Sequence, residues 1–212
     1  MKILKKAARI TCGMLRTIEK RIRPGISEKE LAHYIEGLIS QRGLEKSFKT
    51  IVACGKNAAH PHAKPGSGKI RSNDMVMVDF GVIYKGYHSD LTRTFKIGKP
   101  PKKLCNIYSI VKKAQKKAIK MVRHGVSIND VSAAVHDYMR KSGCARYIKH
   151  TLGHGIGKRI HEPPKISEKN RRIFKKNMVC TMEPGLYIDG IGGARIEDMV
   201  LVRSNRCEVL TK

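Results

Sequence analysis

Four carboxylates sit in apolar surroundings in this 212-residue chain, as two matching pairs. Met75-Val-Met-Val-Asp79-Phe-Gly81 is followed by Ser89-Asp90, and Met178-Val-Cys-Thr-Met-Glu183-Pro-Gly185 by Ile196-Glu197. Each copy reads as a strand that delivers an acid, a Gly-containing turn, and a second strand with another acid. Burying carboxylates is costly unless a cation compensates them. The chain has 17 acidic residues against 44 basic ones, so four acids in such settings stand out. Oxygen ligands of this kind, with one imidazole, suit a pair of divalent first-row ions. Two such ions about 3.5–4 Å apart can bridge a water, lower its pKa and polarise a carbonyl. The chemistry that follows is hydrolysis of an amide or an ester.

The imidazole candidate is His154, in His150-Thr-Leu-Gly153-His154-Gly155-Ile-Gly157. Glycines on both sides give its backbone freedom, which is unusual for a core histidine. Two loops carry most of the histidines. The first, Val52 to Ala63, holds His60 and His62, and the second, Lys149 to Pro164, holds His150, His154 and His161. Blander pairings compete: Asp90 with Arg93, and Glu197 with Arg195. Asp198 should face away from Glu197 on a strand, toward the surface or behind the acids. His33, His88, His124 and His136 read as exposed or packed, and Tyr84-Lys-Gly86-Tyr87 as a hairpin turn.

The positioning elements repeat. Apolar spacing at Ile10, Met14, Leu15 and Ile18 predicts a helix over about 3–21. Ser27-Glu-Lys-Glu30 has capping-box spacing and should start a second helix that stops at Gly43. One hundred residues later, Arg123-His-Gly125-Val-Ser127-Ile-Asn-Asp130 matches Arg23-Pro-Gly25-Ile-Ser27-Glu-Lys-Glu30. The helix it opens should stop at Gly143, after a preceding helix over about 101–122. The predicted organisation is α+β: one domain over 1–212, with two pseudo-symmetric helix-helix-strand-strand halves (about 3–97 and 101–210) facing a common centre.

Composition narrows the class. A hydrophobic content of 41% fits an ordered protein, and no apolar run approaches the ~20 residues of a membrane span. The first residues lack the apolar centre of a secretory signal, so a cytoplasmic location is the default. The six cysteines are scattered, none at CxxC spacing, which argues against a zinc ribbon and for reduced, packed thiols. The net charge of +27 would attract phosphates, but it is spread along the chain and there is no Trp to stack bases. No specific nucleic-acid partner is expected.

The ordered set Asp79, Asp90, His154, Glu183, Glu197 resembles the two-metal site of the pita-bread metallopeptidases, which include methionine aminopeptidase, aminopeptidase P and prolidase. The likeness runs from about residue 3 to Leu210. The surrounding words are similar to the proline-specific branch: Cys54-Gly-Lys-Asn57-Ala-Ala-His60-Pro-His62, Asp90-Leu-Thr-Arg93-Thr-Phe, His161-Glu-Pro-Pro164 and Gly192-Gly193-Ala-Arg195-Ile-Glu197-Asp198. The resemblance implies the pita-bread fold, with a curved antiparallel sheet. It implies two divalent ions (Mn, Co, Fe or Zn) held by those five residues, and a peptide substrate cut at an N-terminal Xaa-Pro bond. His62 would assist proton transfer beside the scissile bond. His161 would hydrogen-bond the substrate carbonyl and the oxyanion, and His150 would shape the proline pocket. Glu183 would double as proton shuttle, and Arg195 would steady Glu197. Two departures are visible. Proline-specific members usually carry a separate N-terminal domain, whereas this chain matches the catalytic domain alone, as a monomer or homodimer. His60 stands where that branch often has an apolar residue. Removal of N-terminal methionine, or a non-catalytic module binding peptide or RNA, are the alternative functions.

Overall fold

The computed structural model describes all 212 residues. The first half runs α1 (Lys2–Glu19), α2 (Glu28–Ser40), β1 (Glu45–Lys46), β2 (Ile51–Cys54), β3 (Met75–Phe80), β4 (Val82–Tyr84), β5 (Tyr87–His88) and β6 (Leu91–Lys96), with a 3₁₀ turn over Gly55–Ala59. The second runs α3 (Lys102–Met121), α4 (Ile128–Met139), β7 (Gly153–Gly155), β8 (Glu162–Ile166), β9 (Val179–Met182), β10 (Gly185–Ile188), β11 (Gly192–Arg195), β12 (Asp198–Val202) and β13 (Cys207–Val209). The strands form four antiparallel ladders: β2-β3-β6, β1-β4-β5, β13-β12-β9-β7-β8 and β10-β11.

Local chemistry sets the helix ends. Ser27 caps α2 in a capping box with Glu30, whose carboxylate takes the Ser27 backbone N–H at 2.8 Å. Ser127 caps α4 more simply, its hydroxyl accepting the Asp130 N–H at 3.5 Å with no return bond from the Asp130 carboxylate. Both cap residues also form an isolated antiparallel bridge, Ser27 with Lys69 and Ser127 with Ile173. The helices end slightly short of Gly43 and Gly143. Both glycines have positive φ (+64° and +76°), the left-handed conformation that closes a helix at little cost only for glycine. The 84–87 turn is a tight hairpin with Lys85 and Gly86 both at positive φ.

Alternation along the strands separates core from site. In β3, Val76, Val78 and Phe80 are fully buried with Leu31 and Ile35 of α2 and Met14 and Ile18 of α1. Met77 and Asp79 point the other way, and Met77 packs with Ala53, Ala58, Ala63 and Tyr187. In β9, Cys180 and Met182 enter a second core with Val111, Ala114 and Ala118 of α3 and Val131 and Val135 of α4. Thr181 faces the opposite side. Each helix pair therefore covers one face of its own strands, and the acids emerge on the other.

Two expectations about loops change. Val52–Cys54 belongs to β2, and Gly153–Gly155 is a strand, β7, hydrogen-bonded between β8 and β9. The glycines around His154 are needed for closeness, and neither has positive φ. A Cβ at Gly153 would lie 2.1 Å from the Thr181 carbonyl oxygen, and one at Gly155 would lie 2.5 Å from that of Pro163.

Candidate metal centre

Asp79 lies within β3, opposite Thr92 of β6. Asp90 immediately precedes β6, Glu183 immediately follows β9, and Glu197 joins β11 to β12. The halves meet here: the Glu197 N–H donates to the Thr92 carbonyl at 3.1 Å, and the Thr94 hydroxyl to the Arg195 carbonyl at 2.9 Å. Ligand atoms of Asp90, His154 and Glu197 all lie within 4.8 Å of one another. His154 Nε2 is 3.4 Å from a Glu183 oxygen and 3.6 Å from an Asp90 oxygen. Asp79, Asp90 and Glu197 are buried, while Glu183 and His154 are half-buried on the open side.

The electrostatics call for a cation. Burial, then the neighbouring Glu197, Asp79 and Glu183, hold the Asp90 carboxyl well above the ordinary range. Glu197 is raised by burial and by Glu183 and Asp79, and Glu183 is pushed up to about 7, chiefly by burial. Asp79 Oδ1 is buried with no hydrogen-bond partner. His154 Nδ1 lies 3.0 Å from the Gly155 carbonyl, which can only accept, so Nδ1 carries the proton. Burial lowers this histidine to about 4 and keeps it neutral. Its Nε2 therefore presents a lone pair toward the Asp90 and Glu183 oxygens. An orphaned carboxylate oxygen and a neutral imidazole aimed at acids fit a divalent ion held by oxygen and one nitrogen.

A hydrogen-bonded frame holds these acids. Arg195 is 3% exposed, and burial works against its charge, but Tyr187, Asp79, Glu183 and Glu197 outweigh that and keep it ionised. Its guanidinium donates to Asp79 Oδ2, to the Tyr187 hydroxyl at 2.7 Å, to the Pro61 carbonyl at 3.0 Å and to the Thr92 hydroxyl at 3.2 Å. The acid it pairs is thus Asp79, across the two halves. It reaches Glu197 only through Thr92, whose hydroxyl donates to Glu197 Oε2 at 2.7 Å. Likewise Arg93 pairs Asp198 (2.6 Å) rather than Asp90. Asp198 does face away from Glu197, but it is buried, and it also accepts from Gln115 of α3 and from Thr211.

The remaining histidines line the rim. The His161 ring stands edge-on to His154 with centroids 4.3 Å apart, and it is exposed. His62 is exposed on the loop after the 3₁₀ turn, close enough to His150 to lower its pKa. His150 has both ring nitrogens engaged: Nδ1 with the Thr151 carbonyl and Nε2 with the Tyr187 hydroxyl, each at 2.8 Å. Burial, then Arg195, holds it near 4, so it is a neutral wall residue. His60 is exposed beside Asp189, whose carboxylate pairs Lys149. His136 is buried and held by Glu168 at 3.1 Å, behind the His150 wall.

Sequence reasoning passed over Thr92, Thr181 and Tyr187. Thr181 donates to Glu183 at 3.1 Å and accepts the His154 N–H at 3.1 Å. A threonine in the apolar run before Glu183 was a readable signal. Tyr187 had none, because its role appears only once β10 meets Arg195 and His150.

A family model for metallopeptidase family M24 matches residues 2–204. The chain belongs to metallopeptidase family M24. Its relatives include the Xaa-Pro dipeptidase of Pyrococcus horikoshii, 38% identical over 213 residues, covering 100% of this chain and 61% of that protein. The solved Xaa-Pro dipeptidase from Bacillus anthracis is 42% identical with a TM-score of 0.96, over 100% of this chain and 60% of the other. Aminopeptidase P of Escherichia coli superposes with a TM-score of 0.90 at 28% identity, over 99% of this chain and 54% of that one. The chain has the α+β pita-bread fold of these family members, and it spans about 60% of the length of the curated relatives it matches. No helix is long and apolar enough to cross a membrane.

Proposed function

We propose that the centre is that of a two-metal exopeptidase hydrolysing an N-terminal Xaa-Pro bond. The observation that carries the metal reading is the buried, unpartnered Asp79 Oδ1 among three further carboxylates and the neutral His154. Asp79, Asp90, His154, Glu183 and Glu197 would hold two divalent ions, drawn from Mn, Co, Fe and Zn. Bound ions supply Lewis acidity and an acidified water. The chain's own groups do the rest. Glu183 is the least buried of the four acids and is anchored by Thr181, so it takes a proton from the attacking water and passes it to the leaving amine nitrogen as the C–N bond breaks. His161, exposed beside His154, donates to the carbonyl oxygen as it becomes an oxyanion. His62, exposed across the rim, assists proton transfer, and His150 with Tyr187 forms the wall of the proline pocket. Arg195 holds Asp79 in place. The whole, residues 1–212, would act as one catalytic domain.

The choice of Xaa-Pro over N-terminal methionine rests on likeness to Xaa-Pro dipeptidases. Xaa-Pro dipeptides, Xaa-Pro-Xaa tripeptides and Met-Ala-Ser, each supplied with Mn²⁺, Co²⁺, Fe²⁺ or Zn²⁺, separate the readings. Cleavage of Met-Ala-Ser alone would replace the proposal with a methionine aminopeptidase. Cleavage of none would point to a non-catalytic module.

A further inference from the structure

The most uneven feature outside the centre is charge. Residues 91–129 contain no Asp or Glu but eleven Lys or Arg, and residues 169–182 contain none against five. On α3, Lys112, Lys113, Lys116, Lys117 and Lys120 are all exposed, opposite the buried Val111, Ala114 and Ala118. At helical spacing this is one continuous stripe, rising about 1.5 Å per residue. It continues through the backbone. After α3 come the exposed Arg123 and His124, and the loop is zipped to the second basic run: Gly125 N–H to the Phe174 carbonyl and Ile128 N–H to the Arg172 carbonyl, both at 2.9 Å. Lys175, Lys176, Arg171 and Arg172 are exposed along that run. It ends at an open groove of about 550 Å³ whose lining holds Lys165, Lys169, Arg171 and Arg172 and no acidic residue.

The neighbouring acids are largely spent. Glu168 is gripped by Arg140 at 2.7 Å and by His136 at 3.1 Å, and Asp137 by Arg140 at 2.6 Å. Asp130, exposed at the start of α4, is the one acid near the loop without an ion pair.

We propose that this band, from the α3 lysine stripe to the 165–172 groove, binds the phosphodiester backbone of a nucleic-acid strand without reading its sequence. Lysine-rich, aromatic-free surfaces are unlike protein interfaces, which deplete lysine and concentrate aromatics. They match phosphate contact, where cations replace condensed counterions. An anionic membrane would need an apolar face, and Ile173 is the single large apolar side chain exposed in the band. With no Trp in the chain, base stacking adds little, so binding is sequence-tolerant.

The test uses fluorescence anisotropy of a labelled 20-nucleotide polyuridylate RNA. With about six phosphates engaged, log Kd should rise with log salt at a slope of roughly 4 for a single strand. K112E/K113E/K116E/K117E should weaken binding at least tenfold. A charge-matched set in the first half, K6E/K20E/K29E/K49E, should weaken it far less. The four Lys→Gln changes on α3 give a milder variant should the Lys→Glu set unfold. The proposal is overturned by an α3 variant that binds within twofold of the parent. It is equally overturned if the first-half set loses as much affinity, or if phosphatidylglycerol vesicles, and not RNA, bind in a band-dependent way.

Discussion

Arg195→Met tests the frame beneath the candidate centre. The change keeps bulk but removes four hydrogen bonds and the charge that faces Asp79. Because Asp79 is 7% exposed, its carboxylate is left uncompensated in low dielectric. Breaking a buried pair in this way costs about 3–5 kcal/mol. For a chain of this size that corresponds to a fall in Tm of roughly 6–20 °C. A bound divalent ion would compensate Asp79 instead. The cost with metal should then shrink to about 1–3 kcal/mol, the price of leaving Tyr187 and Pro61 without their donor. Urea unfolding followed by far-UV circular dichroism, with EDTA and with Mn²⁺, measures both values. Asp79→Asn completes a double-mutant cycle. In EDTA, the coupling should reach at least about 1.5 kcal/mol, since the second change removes the orphaned charge. Additivity of the two changes within about 0.5 kcal/mol, or an equal loss with and without metal, refutes the argument.

Three other outcomes follow from the same geometry. Metal-free protein should lose stability as pH rises from about 4.5 through about 7: Glu183 is raised to about 7 by burial, Asp90 and Glu197 are also raised, and a raised folded-state pKa gives stability below the unfolded value that is lost above the folded one. Adding a divalent ion should flatten that slope in Tm against pH, and a slope unchanged by metal counts against the site. His154→Ala should lower bound metal, read by mass spectrometry after dialysis, and reduce peptide hydrolysis by more than about 100-fold. Glu28→Ala should cost about 3 kcal/mol in chemical denaturation. This buried carboxylate accepts the Cys54 N–H (2.7 Å), the Asn57 amide (2.7 Å) and the Gly66 N–H (2.9 Å), and so ties the His60–His62 loop to α2. A loss under 1 kcal/mol would show that the loop holds its shape without it.

Much of the frame was legible in the chain because its signals are local. Apolar periodicity and the caps at Ser27 and Ser127 placed the four helices within two or three residues, since a cap reports the hydrogen-bonding needs of its own first turn. The four candidate acids stood out by type and repeated spacing, and His154 by the glycines on either side of it, neither of which needs knowledge of contacts. Tertiary structure decided who pairs with whom. Arg195 stands two residues from Glu197, yet it bonds Asp79, 116 positions away, because β11 crosses beside β3 where the two halves meet. Arg93 passes over Asp90 for Asp198 for the same reason. His154 looked like a loop residue freed by its glycines. Packing between β8 and β9 makes it a strand residue whose glycines allow backbone to approach within van der Waals contact. Spacing along a chain can name acids that need a cation. The partner of a buried charge is chosen by which strand arrives opposite it, and that is a property of the assembled fold.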